Sequence, residues 1–411
     1  MNREKILGLT DNVIIVFLTI QIFSVGFSIA LSSVSFGVWA GLWILQIIFF
    51  RQIGLSLDMR KELKILSLSI LAFIVFDVLS RVFAVMPENP LLSLKRYLLF
   101  LILYVCVAKI KTGKELYGML KAVLIVMSVI SLIEIVLFAV ALPSQIGRMS
   151  LGEIRLDTFA HSITTGEIKM LVLLSVFPLV FVKGENILPI KYLISALALI
   201  FISLYITQSR NVFVAVFVCF IITGIFINRK FLYVFLVSAA VLFAVMPSQL
   251  RDRITSIADP SHPSNNARLI MWNIGWKMFL DRPLLGVGDN EFRDVYKTYK
   301  EIEFNGEGSH LHSNFIMVLA THGILGLVAY LGIFIVLFLK HLKFYRAKPP
   351  GSGKLLVFGC ILAVISFHVS GIFEWNFGDW EILTLLIFFS SLPFVISELD
   401  GTDAGENGHS Y

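Results

Sequence analysis

Two histidines stand directly before a long apolar segment in the last third of the chain. The sequence from Gly308 to Asn314 reads GSHLHSN, so His310 and His312 are separated by a single leucine. A neutral imidazole can take a proton from a hydroxyl group near neutral pH, which makes either histidine a candidate general base. The ordinary alternatives are helix capping and packing of an amphipathic ring at a membrane interface.

Two arginines are unusual because of where they lie. Arg210 belongs to a short connection, Thr207–Asn211, between two apolar segments, and Arg268 lies in a long polar stretch. A guanidinium group matches phosphate oxygens with two parallel hydrogen bonds. A charge at a membrane boundary is energetically costly, so its presence there indicates a functional site. The alternatives are snorkelling of Arg210 to lipid headgroups and a solvated helix face for Arg268.

Taken together, these residues indicate a site for an anionic lipid phosphate beside a potential base. The sequence has no Walker loop, no Rossmann glycine pattern, no paired acidic metal motif and no HExxH motif in its polar segments. We therefore expect no metal, no nucleotide and no other cofactor. The chemistry predicted is group transfer from a lipid-phosphate carrier.

The elements that position this site must be membrane helices. Of the 411 residues, 57% are hydrophobic and 15% charged, against about 45–50% and about 25% in soluble domains. The apolar runs are long and continuous, which excludes soluble enzymes, disordered chains, coiled coils and outer-membrane barrels. The three cysteines show no disulfide, zinc or haem spacing. The predicted fold class is an all-α polytopic membrane protein.

Twelve apolar segments divide the chain. We expect transmembrane helices 1–9 in residues 1–247, a loop at 248–313, helices 10–12 in 314–397 and a tail at 398–411. The polar N-terminus leads into a retained first helix, because no small-residue cleavage site follows it. The segments are 12–31, 34–50, 64–80, 96–110, 119–142, 168–182, 187–206, 211–227, 231–247, 314–339, 355–373 and 380–397.

The long loop has a helical pattern of its own. Asn265 and Asn266 are expected to cap a helix from about Ala267 to Leu280, whose apolar residues recur at helical spacing. Such a helix would lie on the outer leaflet, with Trp272 and Trp276 as interface anchors or, alternatively, as substrate platforms.

The charge distribution predicts the orientation. The net charge is +6, and 19 of the 34 basic residues lie in alternate short loops, which places both termini in the cytoplasm. The long loop is then extracytoplasmic, on the same side as Arg210. Asp77 and Arg81 near one helix end, and Glu134 inside another helix, are expected to be ion-paired, with a lipid portal as the alternative.

The order of these features resembles the O-antigen ligase and O-antigen polymerase superfamily. His312-Ser313-Asn314 followed by Leu319, Gly323, Gly326 and Tyr330 is similar to the family's H-[NS]-x-x-L…G-x-x-G signature. Three upstream segments look like those that precede this signature in the family. They are Gln208-Ser209-Arg210, Arg268…Trp272 and the run from Arg282 to Gly288. The resemblance covers residues of about 200–340, and the first 200 residues match only in hydropathy.

The resemblance implies a GT-C-type glycosyltransferase at the periplasmic face of a bacterial inner membrane. It implies transfer of a glycan, with inversion, from undecaprenyl pyrophosphate to a lipid A–core sugar. Arg210 and Arg268 would bind the donor pyrophosphate and His312 would be the base, with Arg293 and Arg282 as weaker phosphate ligands and His310 as the rival base.

The resemblance favours a ligase because one long loop lies late in the chain. A repeat-unit polymerase is the first alternative, and a lipid-linked glycan flippase or secondary transporter is the second. The expected partners are the lipid-linked donor, the acceptor and membrane lipids, with no nucleic acid and no metal.

Overall fold

Helices form the regular structure of the chain. The computed structural model describes residues 3–51, 53–86, 94–146, 148–149, 154–155, 157–184, 186–300 and 308–407. Within these ranges it has fifteen α-helices, three short 3-10 helices and a single isolated β-bridge. Eight of these helices are long and apolar enough to cross a membrane. The predicted all-α polytopic membrane fold is confirmed, and the count of twelve spans stays a prediction.

The helices follow one another in this order: α1 Arg3–Ser24, α2 Ile29–Phe50, α3 Leu57–Val82, η1 Leu94–Phe100, α4 Leu101–Lys109, α5 Gly113–Gln145, α6 Ser162–Val176, η2 Phe177–Phe181, α7 Ile190–Ile206, α8 Arg210–Phe226, α9 Arg229–Val245, α10 Ser248–Thr255, α11 Pro263–Asp281, α12 Phe292–Tyr299, α13 Asn314–Ala347, α14 Ser352–Ser370, η3 Asn376–Gly378 and α15 Trp380–Asn407.

Each of the twelve predicted apolar segments holds a helix, but the boundaries differ in several places, among them the first and the last segment. The segment 12–31 is divided, because the Ser28 side chain accepts a hydrogen bond from the Leu31 amide and begins α2 there. At the other end α15 continues to Asn407, and residues 408–411 of the tail expected at 398–411 lie outside the described residues.

The helix of the long loop begins earlier than its sequence suggests. Its start near Ala267 is wrong: α11 begins at Pro263, and His262 is the capping residue, with its Nδ1 atom 3.3 Å from the Ser264 amide. Proline is favoured in the first turn of a helix because it has no amide hydrogen to leave unpaired. The Asn265 side chain instead donates to the Ser256 carbonyl oxygen at 2.8 Å and closes the turn before the helix.

The core lies where α6, α14 and α15 pack together. Nearly every residue of α6 is buried, whereas α9 has no buried residue and packs on α8 at the edge of the molecule. Large apolar side chains of α9, such as Val234 and Leu242, are exposed. An exposed apolar helix of this kind is suited to contact with lipid.

The helix that follows the histidines is broken near its beginning. Gly323 in α13 has φ +64° and ψ −166°, which interrupts the helical hydrogen bonds. Residues after α11 fill the gap: the Val287 and Gly288 amides donate to the Ala320 and Thr321 carbonyl oxygens at 2.9 and 3.0 Å. The loop 283–288 is therefore part of the helix packing and fixes α11 against α13.

A buried ion network holds the same loop from the other side. Asp77 pairs with Arg81 at 3.0 Å and lies 2.6 Å from His322, while Asp289 pairs with Arg81 at 2.8 Å and with Arg96 at 2.6 Å. The predicted pairing of Asp77 and Arg81 is confirmed.

The acidic residue inside α5 is also paired. Glu134 lies 2.6 Å from Lys169 and accepts a hydrogen bond from Ser203 at 2.8 Å. Burial of a charge without a partner would be strongly destabilising, so these contacts explain how it is tolerated.

We predict that Gly286→Ala destabilises the protein. Gly286 has φ +71°, and an added Cβ atom would lie 2.3 Å from the Thr321 carbonyl carbon. The left-handed backbone and the backbone clash together should cost about 2–4 kcal/mol. The measurement is the thermal unfolding midpoint of the detergent-purified chain. Gly332→Ala is the matched control, because no atom of the residues that the structure describes lies within 4 Å of the Cβ added at Gly332. Equal midpoints for both variants would contradict the docking role of the loop.

Candidate functional site

Arg210 is the first residue of α8, and two serine hydroxyl groups from elsewhere in the chain hold its side chain. Its Nη1 atom donates to the Ser256 Oγ at 2.9 Å, and its Nη2 atom donates to the Ser264 Oγ at 2.6 Å. The residue two positions before it, Gln208, has φ +52°, so the chain turns sharply here. These contacts tie the Arg210 side chain to the segment around α10 and the first turn of α11.

Arg268 reaches the same hydroxyl group from α11. Its Nη1 atom donates to the Ser264 Oγ at 3.2 Å, and its Nε atom donates to the Phe373 carbonyl oxygen at 3.1 Å. In the part of the chain that the structure describes, neither Arg268 nor Arg210 makes an ion pair with a carboxylate. The two guanidinium groups therefore keep most of their charge available to an anion.

The two arginines line one cleft, with a volume of about 200 Å³. Trp272 and Phe373 form part of its apolar wall.

Two further arginines, Arg253 and Arg155, strengthen the positive potential of the cleft. Arg253 donates to the Gln208 carbonyl oxygen at 3.2 Å. Burial lowers the pKa of Arg268, and the positive charge of Arg155 lowers it further, against an opposing effect of Glu374.

The positive potential of the cleft also acts on His262, which precedes α11. Burial lowers the pKa of His262, and the charges of Arg210 and Arg253 lower it further. A cationic cleft with hydroxyl groups between its arginines is suited to bind phosphate oxygens.

Beside this cleft, both predicted histidines contact one carboxylate. The Glu374 Oε1 atom lies 3.0 Å from the His310 Nε2 atom and 3.0 Å from the His312 Nδ1 atom. Glu374 comes from the loop between α14 and α15. Burial raises its pKa, but the two imidazoles outweigh burial and hold the pKa well below its usual value. Glu374 is therefore ionised at neutral pH.

The hydrogen bonds assign different ring protons to the two histidines. Both rings can donate to Glu374 at once, from the His310 Nε2 atom and the His312 Nδ1 atom. The His310 Nδ1 atom then accepts from the Ser309 hydroxyl at 3.1 Å. The His312 Nε2 atom makes no hydrogen bond to any residue that the structure describes. Of the two histidines, His312 is thus the one with an open lone pair.

The histidines and the cleft are neighbours through two contacts. The Trp272 Nε1 atom donates to the Leu311 carbonyl oxygen at 3.0 Å, between the two histidines. Phe373, which accepts from Arg268, directly precedes Glu374. The structure therefore brings together Arg210, Arg268, His310 and His312 of the predicted site.

Two weaker candidates lie elsewhere. Arg282 is the residue after the last turn of α11 and is exposed. It is 14 residues beyond Arg268, which corresponds to about 21 Å along the helix axis. Arg293 lies on α12, is exposed and is not among the residues that line the cleft.

Two acidic residues near the site have no counterpart in the sequence prediction. Glu374 is the main one, and Glu167 is another. Glu167 is buried in α6, where it accepts hydrogen bonds from Ser370 and, at 2.8 Å, from Asn211. A signal for Glu374 exists in the sequence, because two acidic residues, Glu374 and Asp379, stand between the last two apolar segments on the predicted side of His312.

The fold and the site define a polytopic membrane protein with a cationic cleft beside a carboxylate-bound histidine pair. Comparison with known proteins shows a similarity over part of the chain: residues 195–331 match the family model described as O-antigen ligase. This range contains Arg210, Arg268 and His312, whereas Glu374 lies beyond it. The predicted resemblance to the O-antigen ligase superfamily is confirmed over this segment.

Two relatives agree with this similarity. The chain is 30% identical over 129 residues to a teichuronic acid biosynthesis protein of Bacillus subtilis, over 30% of this chain and 26% of the relative. It is 24% identical over 168 residues to a candidate polysaccharide ligase of Rickettsia conorii, over 38% of this chain and 40% of the relative. The matched segments span less than half of either relative.

An acidic group near the site leads to a prediction about pH. Burial raises the pKa of Asp379 to about 7, and the charges of Glu381 and Glu374 add to the effect. The folded chain keeps this proton at a pH where the unfolded chain, with an aspartate pKa of about 3.9, has lost it. Asp379 therefore reduces stability as the pH rises from about 4 through 7.

We expect Asp379→Asn to match the wild type in thermal unfolding midpoint at about pH 3.5, below the unfolded pKa, and to exceed it at pH 8. The expected gain at pH 8 is about 1–3 kcal/mol, after allowance for partial exposure of the group. Asp294→Asn is the control, because Asp294 is half-exposed and pairs with Lys297 at the surface. A constant difference between Asp379→Asn and the wild type across this range would contradict the buried-acid interpretation.

Proposed function

We propose that this protein is a membrane glycosyltransferase of the O-antigen ligase type. It transfers a glycan from undecaprenyl pyrophosphate to a hydroxyl group of a lipid A–core sugar. The reaction takes place at the periplasmic face of a bacterial inner membrane, with both termini of the chain in the cytoplasm. The observation that carries the proposal is the cationic cleft of Arg210 and Arg268 next to the His312–Glu374 pair.

The donor pyrophosphate binds in the cleft. Ser256 and Ser264 hold the Arg210 guanidinium, and Ser264 also contacts Arg268, so both cations are oriented before the ligand arrives. Preorganised cations stabilise the charge that develops on the leaving pyrophosphate. Removing either charge should therefore reduce the rate of transfer more than it reduces donor binding.

The lipid chain of the donor occupies an apolar groove that continues from the cleft. This groove has a volume of about 780 Å³ and lies among α7, α8 and α9. Val214 and Ile257 line both the groove and the arginine cleft. A lipid whose phosphates contact Arg210 would thus place its hydrocarbon chain against the aromatic rings of Phe213 and Phe217.

His312 acts as the general base. Glu374 accepts the hydrogen of the Nδ1 atom, which leaves the Nε2 lone pair to take the proton of the acceptor hydroxyl. The acceptor oxygen attacks the anomeric carbon from the side opposite the pyrophosphate. The bond from that carbon to the pyrophosphate oxygen breaks, and the pyrophosphate leaves with the electron pair. Glu374 stabilises the imidazolium that forms.

A repeat-unit polymerase is the second candidate. Its reaction is the same except that the acceptor is another lipid-linked glycan, and one relative is named for teichuronic acid biosynthesis. Neither reaction requires a metal or a nucleotide, because the pyrophosphate ester of the donor is already activated.

The test of the proposed function is a gel of lipopolysaccharide from a strain that lacks the gene. For a ligase, we expect all long-chain bands on the core to disappear while polymer accumulates on the carrier lipid. A band of core plus one repeat unit would instead identify a polymerase. Purified protein with donor and acceptor on one face should form product without an energy source, which a flippase or transporter would not do.

We predict that His312→Gln lowers the transfer rate by about 10²–10⁴, the usual contribution of a general base. His310→Gln should cost less than about tenfold, because His310 contacts Glu374 but has no open lone pair of its own. The assay follows glycan transfer by the purified chain. His161→Asn is the control, since asparagine can still cap α6 as His161 does. Near-normal transfer by His312→Gln together with loss in His310→Gln would assign the base to His310.

A further inference from the structure

Three atoms of the site that can each bind a metal ion lie close together. The His310 Nε2, His312 Nδ1 and Glu374 Oε1 atoms are separated by 3.0, 3.0 and 3.2 Å. Around a tetrahedral Zn²⁺ ion with bonds of about 2.0–2.1 Å, neighbouring ligand atoms are about 3.3–3.4 Å apart. The triangle formed by the three atoms therefore needs to expand by only a few tenths of an ångström to become one face of such a tetrahedron.

The surroundings orient these three ligands. The second ring nitrogen of His310 is hydrogen-bonded to Ser309, as metal-bound histidines usually require of their outer nitrogen. The Glu374 Oε1 atom accepts a hydrogen bond from the Trp375 amide at 3.0 Å, and His312, at φ +46°, directly precedes Ser313, the capping residue of α13. The site is thus largely formed before any ion binds.

The site is also accessible from outside. Both imidazole side chains are 30% exposed, whereas the Glu374 side chain is 8% exposed. An ion can therefore enter along the imidazole side and keep one position for water. Two imidazole nitrogens and one carboxylate with an open fourth position are a donor set that Zn²⁺ accepts readily.

We propose that His310, His312 and Glu374 bind a divalent transition-metal ion, with Zn²⁺ the best suited, and that this ion inhibits the protein. The binding itself is independent of the proposed function, and the inhibition rests on it. A metal on the His312 Nδ1 atom displaces the ring proton, which moves through solvent to the Nε2 atom. The Nε2 atom then has no lone pair with which to accept the proton of the acceptor hydroxyl.

The charge around the site favours reversible binding. Glu374 supplies one negative charge to the ligand set, and the positive charge of Arg268 lies near enough to interact with the Glu374 carboxylate. A permanent structural zinc ion would instead be surrounded by four protein ligands. The ion proposed here acts as a removable inhibitor of the base.

The binding experiment uses the full chain in detergent, purified with a tag that contains no histidine. Equilibrium dialysis against Zn²⁺ should give one ion per chain, and Co²⁺ should give the intense visible absorption of a four-coordinate site. We expect His310→Gln and Glu374→Gln each to weaken binding at least about tenfold. His161→Asn should bind as the wild type does. Equal binding by the wild type and the triple variant His310→Gln/His312→Gln/Glu374→Gln would overturn the site.

The activity experiment compares the transfer rate with and without Zn²⁺, each variant being normalised to its own metal-free rate. Zn²⁺ should inhibit the wild type more than tenfold, a chelator should restore the rate, and His310→Gln should need at least tenfold more Zn²⁺. Equal inhibition of both proteins would overturn the proposed inhibition at this site. Zinc bound at the triad without inhibition would contradict the role of His312 as base and leave the metal site intact.

Discussion

The docking of one loop into a broken helix sets the geometry of the whole site. Gly323 ends the regular hydrogen bonding of α13, and the amides of Val287 and Gly288 replace it. Each such bond contributes only about 1 kcal/mol to stability, but the carbonyl groups they satisfy would be costly to bury alone. The loop connects α11 to α12, so its position fixes the helix that carries Arg268 relative to the helix that follows His312.

Charged side chains on this side of the protein are stabilised in two different ways. Around Asp77, Arg81, Arg96 and Asp289, positive and negative groups neutralise one another and hold the loop in place. In the cleft, the hydroxyl groups of serines contact the arginines. A hydroxyl group orients a guanidinium without cancelling its charge, so the cleft keeps the potential that an anionic ligand needs.

Much of the site could be predicted from the sequence because residue type and membrane side are both readable there. Arg210, Arg268, His310 and His312 were recognisable as polar residues on one predicted face. Glu374 was not, because its contact with His312 joins residues 62 positions apart and depends on how α13, α14 and α15 pack.

The fold shows the same division between local and non-local information. Hydropathy locates every apolar helix, since burial in lipid requires long apolar runs. It cannot reveal the break at Gly323, where the local sequence remains apolar. It also cannot show that Arg282, although close in sequence to the docked loop, lies at the end of α11 opposite Arg268.

The carboxylate that the sequence prediction missed is the residue that gives the histidine pair its chemistry. Without Glu374, the rings of His310 and His312 would have no fixed tautomers, and neither ring would be distinguished as a base. With it, Ser309 and Glu374 together occupy both nitrogens of His310 and one nitrogen of His312. The same convergence that leaves one lone pair open also creates a triangle of metal ligands. A base positioned by a second histidine and a carboxylate is therefore inherently open to inhibition by a transition-metal ion.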